Sequence, residues 1–275
     1  MKSRNYGLDI ARIVAIIGII TLHINGAGGI IDASPIGTET FWVVQWVEIL
    51  AFCSVDLFAL LSGYLGITSQ EKSSKRAIEL LSISVLYCTV ISLGFLVFYP
   101  DHMNLKSFVI GLFPILKNRY WYLYCYIPLA ILQPYINSFI RNLSLRQHIK
   151  LILFLVITFS IVPSFIAKDT MGLNYGYSFM WLFICYFIGA YIKRQENERK
   201  RYSLRWGLLY LVLSLVLLSG NYLVFSIASK YVNYFVSYIS PFVLLMAISL
   251  LVCFKNMEFK SPNHKVLEIF SILSL

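Results

Sequence analysis

Arg12 and His23 lie eleven residues apart in one apolar run. At about 100° per residue, a helix brings their side chains to within roughly 20° of one face. A rise of about 1.5 Å per residue separates them by about 16 Å along the axis, so the pair brackets most of a bilayer. An ionisable group inside a membrane costs about 2.5 to 3.5 kcal/mol on insertion scales, so each needs a partner or a task. Asp9, Glu48 and Asp56 stand in the same kind of surroundings, and Glu79 lies at the edge of another apolar run.

A second run descending antiparallel to the first puts Glu48 near the depth of His23 and Asp56 near that of Arg12. A carboxylate on one ring nitrogen of His23 would fix its tautomer and raise its basicity, while Asp56 would neutralise Arg12. His23 and Glu48 are thus the candidate catalytic pair, and Asp9 and Asp56 are candidate ion-pair partners of Arg12. The plainer alternative makes Arg12 with Asp9 a helix-end anchor and His23 a hydrogen-bonded packing group. Glu79, beside Lys75 and Arg76, reads as part of a solvated surface pair.

These groups need a frame of long apolar helices. Of the 275 residues, 59% are hydrophobic and 13% charged, against roughly 25% charged in an ordinary soluble domain. Crossing about 30 Å of hydrocarbon takes about 20 apolar helical residues. Eight spans are predicted, at 8–26, 42–67, 78–99, 120–140, 149–166, 178–193, 206–228 and 233–254. A ninth apolar segment opens at Val266 and has reached only Leu275 where the sequence stops. The stretch 105–116 reads as an interfacial or re-entrant helix closed by Pro114, Lys117, Asn118 and Arg119. The expected architecture is an all-α polytopic transmembrane bundle, one domain over 1–275, incomplete at its C-terminal end.

Orientation follows from the Lys and Arg of alternate loops. One side collects 17 of them and the other only Lys106, Lys117, Arg119, Lys168 and Lys230, which puts the N-terminus in the cytoplasm. The net charge of +10 is therefore topological and points to no nucleic acid. The first span holds Asp9, Arg12 and His23, unlike the ion-free core of a cleaved signal peptide. The five cysteines lie singly in apolar runs and read as small core residues, with no disulfide framework or metal site. The triplet Asn142-Leu143-Ser144 matches a glycosylation acceptor but falls in a predicted cytoplasmic loop. Aromatic residues crowd the outer start of the fourth span, Trp121 and Tyr122 among them. Such clusters read as interfacial belts, or alternatively as a sugar-stacking platform.

Three blocks resemble a known family. Arg4-Asn5-Tyr6-Gly7-Leu8-Asp9-Ile10-Ala11-Arg12, leading to His23, is similar to the first helix of the acyltransferase 3 family of membrane acyltransferases, whose hallmark is an Arg, ten residues and a His. Val55-Asp56-Leu57-Phe58-Ala59-Leu60-Leu61-Ser62-Gly63-Tyr64-Leu65 resembles its second-helix signature. Tyr120-Trp121-Tyr122-Leu123, with Tyr126, Leu129, Gln133, Pro134, Tyr135, Ile136 and Asn137, resembles its surface-polysaccharide O-acetyltransferases. Members usually carry about ten helices and a late Tyr-Leu-Ile-His-like segment, which is missing here, so the chain reads as truncated.

The resemblance implies transfer of an acyl group, usually acetyl, from cytoplasmic acyl-coenzyme A to a hydroxyl of a surface or lipid-linked polysaccharide. The expected partners are acetyl-CoA, that acceptor and membrane lipids, in a bacterial plasma membrane, with no permanently bound cofactor. Arg12 would hold coenzyme A phosphates. His23 would act as general base or carry the acyl group itself, with Glu48 orienting it, and Trp121 and Tyr122 are the candidate acceptor platform. Ser62 and Gly63 read as a close helix contact. Two rival readings are a transporter or flippase, since intramembrane charges also mark transport paths, and an inactive remnant. The first is weakened by the lack of repeated halves and broken helix pairs.

Overall fold

The computed structural model describes residues 5–69, 73–102, 105–112, 120–195, 203–233 and 235–257, and among these there is no strand. The helices are α1 (Tyr6–Asn25), α2 (Ile30–Ala33), α3 (Glu39–Phe52), α4 (Ser54–Gly66), α5 (Ser73–Phe98), α6 (Leu105–Gly111), α7 (Trp121–Asn142), α8 (Leu145–Val156), α9 (Val162–Ile166), α10 (Phe179–Arg194), α11 (Ser203–Ala228) and α12 (Pro241–Lys255). Six rods are long and apolar enough to cross a membrane: α1, α3 with α4, α5 from Ala77, α7, α8 through α9, and α11. The chain is a multi-pass membrane protein.

Local chemistry sets most of the boundaries. The Asn5 side chain caps α1 by accepting from Gly7 N–H, and Thr38 caps α3 through Phe41 N–H. Ser144, the last residue of the glycosylation-like triplet, instead builds a capping box with Gln147 at the start of α8. Ser178 caps α10 through Trp181 N–H. Pro241 opens α12, so the eighth rod starts there and not at 233 as predicted, because Pro suits a first helical turn and disfavours helix before it.

Three other expectations need amendment. The second span is interrupted at Cys53, where α3 gives way to α4. The fifth carries a π turn at Ile157–Ile161, two residues ahead of Pro163, which has no N–H to return to Phe159. Helix α12 has 15 residues and is shorter than the predicted 233–254, whereas α10 has the 16 residues of the predicted 178–193, shifted by one. The segment 105–116 is helical over Leu105–Gly111. Its proposed closure at Pro114 to Arg119, and the segment 266–275, lie outside the described residues.

The core is built on α4 and α10, which run parallel. A Cβ on Gly63 would run into the backbone carbonyl of Tyr186, and one on Gly189 into that of Leu60, so the two backbones touch through reciprocal glycines. This bears out the sequence reading of Gly63. The C-terminal carbonyls of α4 would be orphans in lipid, and α7 supplies their donors. Gln133 Nε2 and Asn137 Nδ2 both donate to Gly66 O, at 3.1 and 2.9 Å, and Arg141 donates to Ile67 O at 2.7 Å. Arg194 then closes the end of α7, donating to Ile140 O and Leu143 O at 2.8 and 2.6 Å and facing His148 Nδ1 at 3.2 Å.

These clamps gather the ends of α4, α7 and α10 with the start of α8 on one face of the bundle. Asn5 donates to Lys255 O at 3.0 Å and Ser203 to Cys253 O at 2.8 Å, which brings the starts of α1 and α11 and the end of α12 to the same face. The opposite face carries rings: Trp121, Tyr177 and Tyr238 cluster with centroids 4.6 to 5.6 Å apart, and Tyr238 stacks on Phe52 at 4.6 Å. That face is recessed. Gly18 of α1 meets Ser54 at the top of α4, and Trp181 near the top of α10 meets Asp56. Since Asn25 is seven residues beyond Gly18, α10 begins about 10 Å below the end of α1, while α3 continues upward from α4 to the level of Asn25.

Candidate functional site

Helix α1 runs unbroken from Tyr6 to Asn25, so Arg12 and His23 share a flank as their spacing requires. Ala11 and Ala15, both fully buried, mark the side turned to the bundle, and the exposed Ile17, Ile20 and Ile24 mark the side turned out. Arg12 and His23 project roughly 90° from each of these directions, along the seam beside the core. The Arg12 side chain is 25% exposed and meets Asp9 at 3.5 Å. His23 is exposed at the other end of the helix.

The two carboxylates expected from the second span are elsewhere. Glu48 does not meet His23: it accepts from Asn25 Nδ2 at 3.1 Å. The depth was right and the rotation wrong, for residue 25 lies about 200° round the helix from residue 23. A carboxylate facing Asn25 therefore has His23 behind the helix, and Glu48 does not orient the imidazole. Gln45, one turn above Glu48 on α3, accepts from the Tyr231 hydroxyl at 2.5 Å. Burial pushes the Tyr231 pKa up and the neighbouring Glu48 adds to it, which keeps that phenol a donor.

Asp56 does not neutralise Arg12 either. The register fixed by Gly18 with Ser54 and Asn25 with Glu48 sets Arg12 level with Leu60, about 6 Å below Asp56. Asp56 is also about 200° round α4 from Ser54, on the side turned to α10. There it is fully buried, with Oδ1 accepting from the Trp181 indole N–H at 2.8 Å and Oδ2 unpartnered. The intrahelical pair with Asp9 is the one that forms. Replacing Asp56 with Val is expected to orphan the indole N–H and cost about 1 to 3 kcal/mol, whereas Asp56→Asn keeps an acceptor and most of the stability. Thermal unfolding of both variants in detergent checks this, and a Val variant as stable as wild type would refute it. Glu79 pairs with Lys75 at 3.6 Å with both side chains exposed, a surface contact as expected.

Trp121 and Tyr122 do not form an open platform. Tyr238 stacks against Trp121 and Tyr177 leans onto it at 59°. Tyr122 packs on Tyr126 and Phe58, and its hydroxyl oxygen is buried. Both rings support the recessed face from beneath. Tyr175 and Tyr177 are the more exposed rings there, at 51% and 41%.

Sequence reasoning missed the two arginine clamps. Their signal was present, for Gln133, Asn137 and Arg141 recur every fourth residue on α7 and so share one stripe. It missed the loop between α9 and α10 as well, where Ala167, Asn174 and Tyr175 have left-handed φ of 56°, 49° and 54°.

A family model described as "Acyltransferase domain" matches residues 5–275 of this chain. No curated protein and no solved structure matches it.

Proposed function

The chain belongs to the acyltransferase 3 family, and from that premise we propose that it transfers an acetyl group from cytoplasmic acetyl-CoA to a hydroxyl of a surface or lipid-linked polysaccharide. The observation that carries this reading is the pairing, on one flank of an unbroken helix, of a basic group near one end with an imidazole at the other. We take the face holding the arginine clamps as cytoplasmic, in keeping with the excess of basic residues there. The short helices α10 and α12 then count as the sixth and eighth spans, and the membrane is the bacterial plasma membrane.

Coenzyme A is a polyanion joined to its thioester by a long flexible arm. Arg12 lies about 9 Å inside the α1 start, and Lys255, whose carbonyl holds Asn5, adds a positive charge at the same mouth. They receive the donor's phosphates, and the arm lies along the flank toward His23. There the acceptor hydroxyl attacks the thioester carbonyl while the imidazole takes its proton. The bond from carbonyl carbon to sulfur breaks, and the departing thiolate takes a proton to leave as free coenzyme A. In the covalent variant the imidazole nitrogen attacks first and holds the acetyl group. Acetyl label retained on the protein without acceptor would mark that route.

The test uses purified protein in lipid discs with acetyl-labelled acetyl-CoA and de-O-acetylated surface polysaccharide. Polysaccharide-dependent release of coenzyme A with label in the polysaccharide is expected. A wild-type protein that releases none would overturn the reading. Arg12→Gln is expected to raise the KM for acetyl-CoA about tenfold, one charge-assisted contact, with the acceptor KM unchanged. An unaltered donor KM would remove Arg12 from the donor site.

A further inference from the structure

A cleft of about 490 Å³ opens on the recessed face between the end of α9 and the segments before α10 and α12. Its volume is that of a small-molecule site. Phe52, at the break between α3 and α4, is one wall, and Tyr175, Lys168, Ser164 and Asn233 are among the residues that line it.

The segment beside it is strained in a way that aims these groups. Within ten residues Ala167, Gly172, Asn174, Tyr175 and Gly176 all take positive φ, and left-handed backbone at a non-glycine residue is costly and clusters at binding sites. Asp169 holds the segment down, accepting from Leu173 N–H at 2.9 Å and Tyr175 N–H at 3.3 Å. Gly176, at φ 102°, has no room for a Cβ against Tyr238. On the other side the π turn ties in, with Ser160 Oγ donating to Ile239 O at 2.6 Å. The cleft is built on both flanks.

What it lacks is a partner for its polar groups. Ser164 is 8% exposed, and its hydroxyl oxygen is enclosed in the wall of the cleft without a hydrogen bond. Lys168 is exposed and makes no ion pair among the described residues, since the adjacent Asp169 is spent on backbone N–H groups. Asn233 Oδ1 accepts from Asn221, which leaves its amide N–H groups to donate.

We propose that this cleft binds the acceptor, and that the acceptor is an acidic saccharide: a sugar ring lies on the exposed face of Tyr175, a ring hydroxyl meets Asn233, and its carboxylate or phosphate pairs with Lys168. This rests on the acyltransferase reading for the acceptor's role. An aromatic face, an amide and one cation suit a ring with hydroxyls and a negative charge. A fully apolar lipid chain would leave both Lys168 and Asn233 unmatched.

The test measures both transfer and binding, in zwitterionic lipid discs so that no anionic headgroup competes. The probe is the de-O-acetylated surface polysaccharide. Lys168→Gln and Tyr175→Ala are each expected to raise the acceptor KM and the polysaccharide Kd about tenfold, one charge-assisted or stacking contact, with the KM for acetyl-CoA unchanged. Tyr175→Phe keeps the ring and is expected to stay near wild type, which a merely structural role for the hydroxyl would not allow. Acceptor KM and Kd unchanged in both Lys168→Gln and Tyr175→Ala would overturn the cleft assignment while leaving acyl transfer standing. A wild type that binds polysaccharide, loses binding on these substitutions and yet transfers nothing would overturn the transfer reading and keep the cleft.

Discussion

Replacing His23 with Ala is expected to lower acetyl transfer about a hundred- to ten-thousand-fold, the usual worth of a positioned acid–base group, and to leave thermal unfolding unchanged. The two halves of that expectation have separate causes. The imidazole is exposed at the end of α1, so its removal opens no cavity in the core. The loss falls on the reacting proton. Labelled acetyl-CoA, followed into polysaccharide by wild type and variant at equal folded concentration, gives the result directly. Equal incorporation by both would take His23 out of the chemistry.

The largest structural effect is expected at Gly63. A Leu there has its first side-chain carbon against the Tyr186 backbone carbonyl, and a backbone in the middle of a packed helix cannot turn aside as a side chain can. Overpacking ordinarily costs about 1 to 3 kcal/mol and occasionally more. This site belongs with the larger costs, because the reciprocal contact of Gly189 with Leu60 separates along with it. Gly63→Leu is expected to abolish recovery of monodisperse protein from detergent. Gly94→Leu on α5, where a Cβ meets nothing within 4 Å, is the matched control. Equal yields of the two would show that α4 and α10 do not depend on close approach.

The helices themselves were legible because lipid leaves no choice: a segment that crosses must be apolar and must satisfy its own backbone. Pro241 and the caps at Thr38 and Ser144 are equally local signals that the sequence reading passed over. The break at Cys53 was not, since Ala51-Phe52-Cys53-Ser54 contains neither Gly nor Pro to mark it. Depth could be read from residue counting, which is why Glu48 does lie near the level of His23. Partnership could not, because it depends also on how each rod is turned about its axis. A turn of two residues hands Glu48 to Asn25 and Asp56 to Trp181. The polar stripe of α7 stood in the sequence as part of a family pattern, yet its work of receiving the end of α4 emerges only once the two rods are side by side.

The recess has an electrical consequence. Sixteen residues of α10 amount to about 24 Å, against about 30 Å for ordinary hydrocarbon. With α10 crossing as proposed, a membrane voltage would fall over that shorter path. A negative charge carried part-way along it would feel a steeper gradient than one elsewhere in the bilayer, so the energised state of the membrane would bear on how far such a charge can be drawn into the protein.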